Sequence, residues 1–204
     1  MKDDVLLFGG SFDPPHIGHV NLLTNAAKAV CPGRVLVVPS ATSPHKQKSE
    51  TPFALRILMC RCFLPVCPAV ELSDMEERRP GKSYTYDTVR ILQSEAPAAR
   101  LFLCMGGDML KSFDTWYRWK DLLALVTLVA AAREVGQDTE MQKVAQMLEM
   151  AGGKVLLAEG PVVPAASADI RARLAAGDEA ALALVPPPAD EVVLQNGLYQ
   201  KPGG

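Results

Sequence analysis

A short apolar run, Val5-Leu-Leu-Phe8, ends in Gly9-Gly10 and, after Ser11-Phe-Asp-Pro-Pro-His16, gives way to a helix-like run from Val20 to Val30. A strand that ends on glycines and turns into a helix places backbone N–H groups at a helix N-terminus, where partial positive charge gathers anions. That is a phosphate site in outline. His16 and His19 follow at i and i+3, so both rings fall on one face of the first helical turn, with Gly18 leaving room between them. They are two of only three histidines in the chain, and the third, His45, lies close behind. Glycine after a strand marks many turns. The combination of strand, Gly-Gly, an Asp13-Pro14-Pro15 elbow and two imidazoles is what points to function.

The length of 204 residues, with 49% apolar and 22% charged, suits one α/β domain spanning 1–204. A net charge of −2 argues against a nucleic-acid surface, which shows a basic excess on one face. Any phosphate recognised here belongs to a small molecule. Too few apolar residues precede Gly9 for a signal-peptide core, and the run from Leu122 to Ala132, broken by Thr127, is shorter than the ~20 residues of a membrane span. No membrane association and a cytoplasmic location are therefore expected. Five cysteines, an odd number, fit a reducing compartment. Cys60, Cys62 and Cys67 lack the second ligand pair that a metal site needs, so no metal is expected there.

In chain order, Arg34-Val-Leu-Val-Val-Pro39 reads as a buried parallel strand. A polar, basic loop, Ser40 to Lys48, follows at its C-terminal end, the edge where ligands bind open α/β sheets. Residues 53–63 read as a helix with Thr51 as cap, Pro52 in its first position, and a buried stripe of Leu55, Leu58, Met59 and Cys62. Val70 to Asp74 reads as a strand and Glu76 to Lys82 as a charged loop. Gly81-Lys82-Ser83 ends like a P-loop, but Glu76 occupies the first glycine position and Glu77 and Pro80 oppose phosphate binding, so that reading fails. Ser83 or Thr85 can cap the helix that follows. Arg100 to Met105 is a strand ending at Gly106-Gly107-Asp108, where an acidic residue is placed to accept ribose hydroxyls or to cap a short helix. Trp119, with Leu122 and Leu123, reads as core, and Trp116 as the ring offered to a ligand. Val126 to Ala132 is a strand, Thr139 to Ala151 a helix stopped at Gly152-Gly153, Val155 to Ala158 a strand, and Asp190 to Gln195 a last short helix. Ser167 can cap a helix. The order implies a Rossmann-like, doubly wound, mainly parallel sheet with helices on both faces.

Gly9-Gly10-Ser11-Phe12-Asp13-Pro14-Pro15-His16-x-Gly18-His19 resembles the opening signature of the bacterial nicotinate-nucleotide adenylyltransferases, a branch of the adenylyl- and cytidylyltransferase superfamily. That family usually has Thr where this chain has Ser11, a change that keeps the hydroxyl. The resemblance covers nearly the whole chain. It implies adenylyl transfer from ATP to nicotinate mononucleotide, giving deamido-NAD and pyrophosphate, with Mg²⁺ bound through the ATP phosphates. It also implies roles residue by residue. His16 and His19 would be catalytic. Gly9, Gly10, Ser11, Phe12, Gly106 and Asp108 would bind ATP. Lys46 would face phosphate from its Pro-His-Lys setting. Thr85, in Ser83-Tyr84-Thr85-x-Asp87-Thr88, would help to hold the nicotinate carboxylate, with Trp116 stacking on the pyridine and Tyr117 offering its backbone N–H. Arg133, in an Arg-x-x-Gly ending, would contact the same substrate. The second signature, Ile-Ser-Ser-Thr-x-Ile-Arg, is matched by Ser167, Ile170 and Arg171, which would hold the triphosphate. Ala166 and Ala168 replace a Ser and the Thr, so a weaker phosphate grip is expected.

Another transferase of the superfamily, acting on phosphopantetheine, nicotinamide mononucleotide or an alcohol phosphate, is the alternative. Against phosphopantetheine stand the chain length and the Trp116 region. A nucleotide sensor that lost the chemistry has only Ala166 and Ala168 in its favour. Oligomeric state is open, a homo-oligomer included.

Overall fold

A computed structural model describes residues 3–42, 51–131 and 138–200. Six parallel strands form one sheet in the order β3-β2-β1-β4-β5-β6: β1 (Val5–Gly10), β2 (Arg34–Pro39), β3 (Val70–Leu72), β4 (Leu101–Gly106), β5 (Thr127–Ala131) and β6 (Lys154–Leu157). Strand β1 pairs with β2 on one side and β4 on the other. This is the Rossmann-like, doubly wound α/β sheet expected from the order of elements, with its switch point between β1 and β4.

Strand alternation splits the interior into two layers. Leu6 and Phe8 of β1 and Val35 and Val37 of β2 join Leu22, Leu23 and Ala26 of helix α1 (Ile17–Val30), Met59 of α2 (Phe53–Met59) and Val192 and Val193 of α8 (Ala189–Gln195). Val5, Leu7, Leu36 and Val38 face the other way. They pack with Val89 and Leu92 of α3 (Thr85–Glu95), Leu110 of α4 (Gly107–Lys111), Leu122 and Leu123 of α5 (Trp119–Leu125) and Met141 and Leu148 of α6 (Asp138–Met150). A last helix, α7 (Ser167–Ala175), adds Ile170 to the first layer.

Four local expectations change. The helix read as 53–63 stops at Met59 and tightens into 3-10 geometry over Cys60–Val66. Pro65 explains this, because it brings no N–H and disfavours α geometry in the residue before it. The residue flanking α2 is Pro52, with no side-chain cap, so Thr51 does not cap it. Leu58 of the expected stripe is exposed and Arg56 is buried instead. Strand β3 ends at Leu72 because the chain turns after Ser73, with Glu77 N–H bonding to Asp74 O.

At the N-terminal end of the sheet, Arg100 grips Asp4 with Nε to Oδ1 at 3.0 Å and Nη2 to Oδ2 at 2.5 Å. That bidentate contact holds the Asp4 carboxyl at about 2, down from an ordinary 3.8. Because the folded value is depressed, the stabilisation is present above pH 3.8 and is lost as pH falls toward 2. Urea midpoints measured against pH should show a smaller acid loss over this window in Asp4→Asn than in the wild type.

Candidate active site

A cavity of about 940 Å³ opens where β1 and β4 end, at the switch point of the sheet. Its wall includes Gly9 to Asp13, both histidines, Gly106 and Asp108 from the far side of the switch, and the start of α7.

The histidines are built into the start of α1. His16 is the N-cap residue, not a residue of the first turn, and His19 is N3. His19 N–H donates to His16 Nδ1 and His16 N–H donates to His19 Nδ1, each at 3.3 Å. A capping box normally made by Ser/Thr and Glu/Gln is here made by two imidazoles. The rings stack, with centroids 3.6 Å apart and planes 26° from parallel, and both line the cavity. Because each Nδ1 accepts a backbone N–H, each neutral ring carries its proton on Nε2. The fold thus sets the tautomer of both rings, and each offers Nε2–H as its donor. Gly18 is needed for this packing: a Cβ there would stand 2.9 Å from Val163 O and 3.1 Å from His16 Nδ1.

Phe12 is anchored by its ring. Its side chain is buried, against Phe8 and Phe63 at 5.1 Å and edge-on to His19 at 5.3 Å, so only its backbone can serve a ligand. Its φ of 47° lies in the left-handed region, at a cost of roughly 1–2 kcal/mol for a side-chain-bearing residue. The loop is held in this shape by groups from later in the chain. Ser167 Oγ donates to Pro14 O at 2.9 Å, Arg171 Nη1 to Asp13 O at 2.6 Å, Tyr199 OH to Asp13 Oδ1 at 2.7 Å and Arg56 Nη1 to Ser11 O at 2.9 Å. Burial pushes the Tyr199 phenol up, so it donates as a neutral hydroxyl.

The two glycines have separate reasons. A Cβ on Gly10 would lie 2.9 Å from the Phe12 ring, whereas one on Gly9 meets only Val38 O, at 3.9 Å. Gly10 makes room for the protein, and Gly9, exposed on the cavity wall, leaves room for a ligand. Gly10→Ala should therefore cost about 1–3 kcal/mol through overpacking. Gly9→Ala should keep the wild-type melting temperature and raise the KM for the nucleotide instead. Melting curves beside steady-state kinetics on both variants check this.

On the other side of the cavity, Gly106 ends β4 and is the N-cap residue of α4, which makes Asp108 a residue of that helix and not its cap. Asp108 is exposed on the wall. Thr85, Trp116 and Tyr117 line the same cavity, with Trp116 half-buried against Phe113 at 5.4 Å. Ser83 and Thr85 do not cap α3. Its flanking residue is Tyr84, and Ser83 Oγ accepts N–H bonds from Ala41 and Thr42, both at 3.1 Å. In α7, Ala166 is the N-cap residue and no side chain caps the helix, so Ser167 is its first residue with its hydroxyl turned to Pro14. Ile170 leaves the candidate set. Its side chain is fully buried in the core, and its N–H is spent on Ala166 O. Lys46, with His45, and Arg133 lie outside the described residues.

Three residues on the wall had no sequence signal: Arg56, Tyr199 and Glu76. Glu76, read as part of a charged loop, is buried and accepts from Thr88 Oγ1 at 2.7 Å, while its Oε2 has no hydrogen-bond partner among the described residues. Burial pushes its carboxyl up, against the pull of Thr88 and Arg79. Burial also pushes up the Cys60 and Cys62 thiols, Cys62 to about 12. Among the described residues no group of three His, Cys, Asp or Glu could hold a metal ion, and no helix is long and apolar enough to cross a membrane.

The Cytidylyltransferase-like family model matches residues 7–173. A protein of Symbiobacterium thermophilum named "Probable nicotinate-nucleotide adenylyltransferase" is 37% identical over 198 residues, 96% of this chain and 94% of that one. The chain belongs to the nicotinate-nucleotide adenylyltransferases. A like-named relative from Halalkalibacterium halodurans is 35% identical over 95% of this chain and 90% of its own. Among solved structures, the Plasmodium falciparum nicotinic acid mononucleotide adenylyltransferase complexed with APC superposes with a TM-score of 0.79 at 18% identity, covering 97% of both chains. At that identity the likeness concerns the fold. The family placement agrees with what the resemblance implied, even though Ala166 and Ala168 depart from the second signature.

Proposed function

We propose that this adenylyltransferase joins ATP and nicotinate mononucleotide into deamido-NAD and pyrophosphate. The observation that carries the reading is the pair of stacked imidazoles, fixed by a reciprocal cap on the wall of the cavity. The mononucleotide phosphate is ionised at neutral pH and attacks the α-phosphorus of ATP directly, so no general base or covalent intermediate is needed. The bond from the α-phosphorus to the α,β-bridging oxygen breaks, and pyrophosphate departs with that oxygen. Positioning and charge neutralisation remain for the protein.

His16 and His19 would donate Nε2–H to the α-phosphate, together with backbone N–H groups of Ser11 and Phe12. Gly9 and Gly10 would let the triphosphate approach, and Gly106 and Asp108 would hold the adenosine ribose. Arg171 and the first-turn amides of α7 would hold the departing phosphates; no side chain caps this helix, which suits an anion there. Thr85, Trp116 and Tyr117 would take the nicotinate end, with Lys46 and Arg133 as further substrate contacts. Mg²⁺, carried on the ATP phosphates, would add charge neutralisation at the leaving group. Asp13, Glu76 and Asp108 line the cavity wall and bring the carboxylate oxygens that such an ion accepts. We place the enzyme in the cytoplasm, a setting that suits its five cysteines, an odd number.

Pyrophosphate release measured with ATP and the acid or amide mononucleotide in parallel tests the reaction. Release with the acid form is expected. ATP binding without release on any candidate nucleotide would overturn the proposal.

A further inference from the structure

Arg56 is a charged residue 2% exposed, in a helix of seven residues, with no part in the chemistry above. Its Nη1 donates to Ser11 O at 2.9 Å and to Ser40 O at 2.8 Å, and its Nε donates to Thr51 O at 3.3 Å. These carbonyls belong to the residue following β1, the residue following β2 and the lead into α2. Strands β1 and β2 are already tied at this level by Ser40 N–H to Gly10 O at 2.8 Å. Burying a guanidinium is unfavourable unless its donors are met, and here one planar fork meets three backbone oxygens at the edge of the cavity. Burial pulls the Arg56 guanidinium below its ordinary value, and the negative charge of Asp13 opposes that pull.

We infer that Arg56 is a positioning residue for phosphate binding, acting through the Ser11–Phe12 peptide. In a trans peptide the carbonyl and the following N–H point in opposite directions, so drawing Ser11 O onto Arg56 turns Phe12 N–H the other way. That amide is one of the donors assigned above to the α-phosphate. Phe12 sits at φ 47° with its ring locked between Phe8, Phe63 and His19. Its conformation is therefore held from two sides, by the ring in the core and by the guanidinium on the preceding carbonyl. Releasing the carbonyl frees the peptide to rotate and loosens the ring that presses on His19. Lysine cannot substitute, because a single ammonium does not span three carbonyls in a plane.

The inference rests on the proposed reaction, and its test separates the two. Arg56→Lys and Arg56→Ala are compared with the wild type in kcat, KM for ATP, calorimetric ATP affinity and melting temperature, all well below melting. Arg56→Ala is also assayed with millimolar methylguanidinium. The expected result is a kcat lower by about 10²-fold in both variants, weaker ATP binding, and partial recovery of kcat by methylguanidinium but not by methylammonium. A lowered melting temperature with unchanged kcat and ATP affinity would reduce Arg56 to a stabilising residue and overturn the inference. If the wild type releases no pyrophosphate, the reaction falls, and unchanged ATP affinity in Arg56→Lys then decides against the inference independently.

Discussion

His19→Ala should lower turnover about 10²–10³-fold, the usual loss when one preorganised donor to a transition-state oxyanion is removed. The substitution also removes half of a capping box, so a stability loss of about 1 kcal/mol should accompany it. His16→Asn separates the two effects. Asparagine is among the best N-cap residues, so it can accept the His19 N–H in place of Nδ1 while presenting no Nε2 donor. Its melting temperature should stay near that of the wild type while its turnover falls on the same scale as His19→Ala. The double variant should lose much less than the product of the single losses, because stacked rings on one phosphate act as a unit. Single-turnover pyrophosphate release and melting curves measure these quantities. Undiminished turnover in His16→Asn would leave the imidazoles as caps alone.

Arg171→Ala should produce the second largest loss, about 10²-fold in kcat. Nη1 already holds Asp13 O at 2.6 Å, so this arginine links the α1 loop to α7 and faces the cavity at once. Ser167→Ala breaks only the neighbouring bond to Pro14 O and serves as the control. A much smaller effect is expected there, within the roughly tenfold of a net hydrogen bond. In the reverse direction, Arg171→Ala should raise the KM for pyrophosphate while Ser167→Ala should not. An unchanged KM for pyrophosphate in Arg171→Ala would remove it from the leaving-group site and leave it as a loop anchor. Arg171→Lys should fall between, since it keeps charge and loses the fork.

The parts of this molecule that read out of sequence are those whose partners lie close along the chain. Gly9, Gly10, His16 and His19 occupy one strand–turn–helix unit, so their spacing alone brings them together. The strands near Val5, Arg34, Arg100 and Val126 announce themselves as apolar runs. Arg56 and Tyr199 did not, because the atoms they hold are 45 and 186 residues away and a lone arginine or a late tyrosine has no local signature. Glu76 looked solvated among charged neighbours, and only the packing of Thr88 beside it shows it buried. Ile170 erred in the opposite direction: a position inside a ligand-binding motif can be the motif's inward-facing residue, and an isoleucine in a helix beside an apolar layer goes to that layer. Thr51 failed as a cap because Pro52 and the buried Arg56 fix the entry to α2 by other means.

The bond from Tyr199 to Asp13 bears on when this protein becomes competent during its synthesis. The glycine turn and both imidazoles emerge early, but the hydroxyl that seats on Asp13 is translated 186 residues later. At about 5–20 residues per second, that interval is on the order of 10–40 s. A nascent chain holds the reactive loop through that time without its last clasp, so a ribosome-bound intermediate stalled before residue 199 would handle nucleotide poorly.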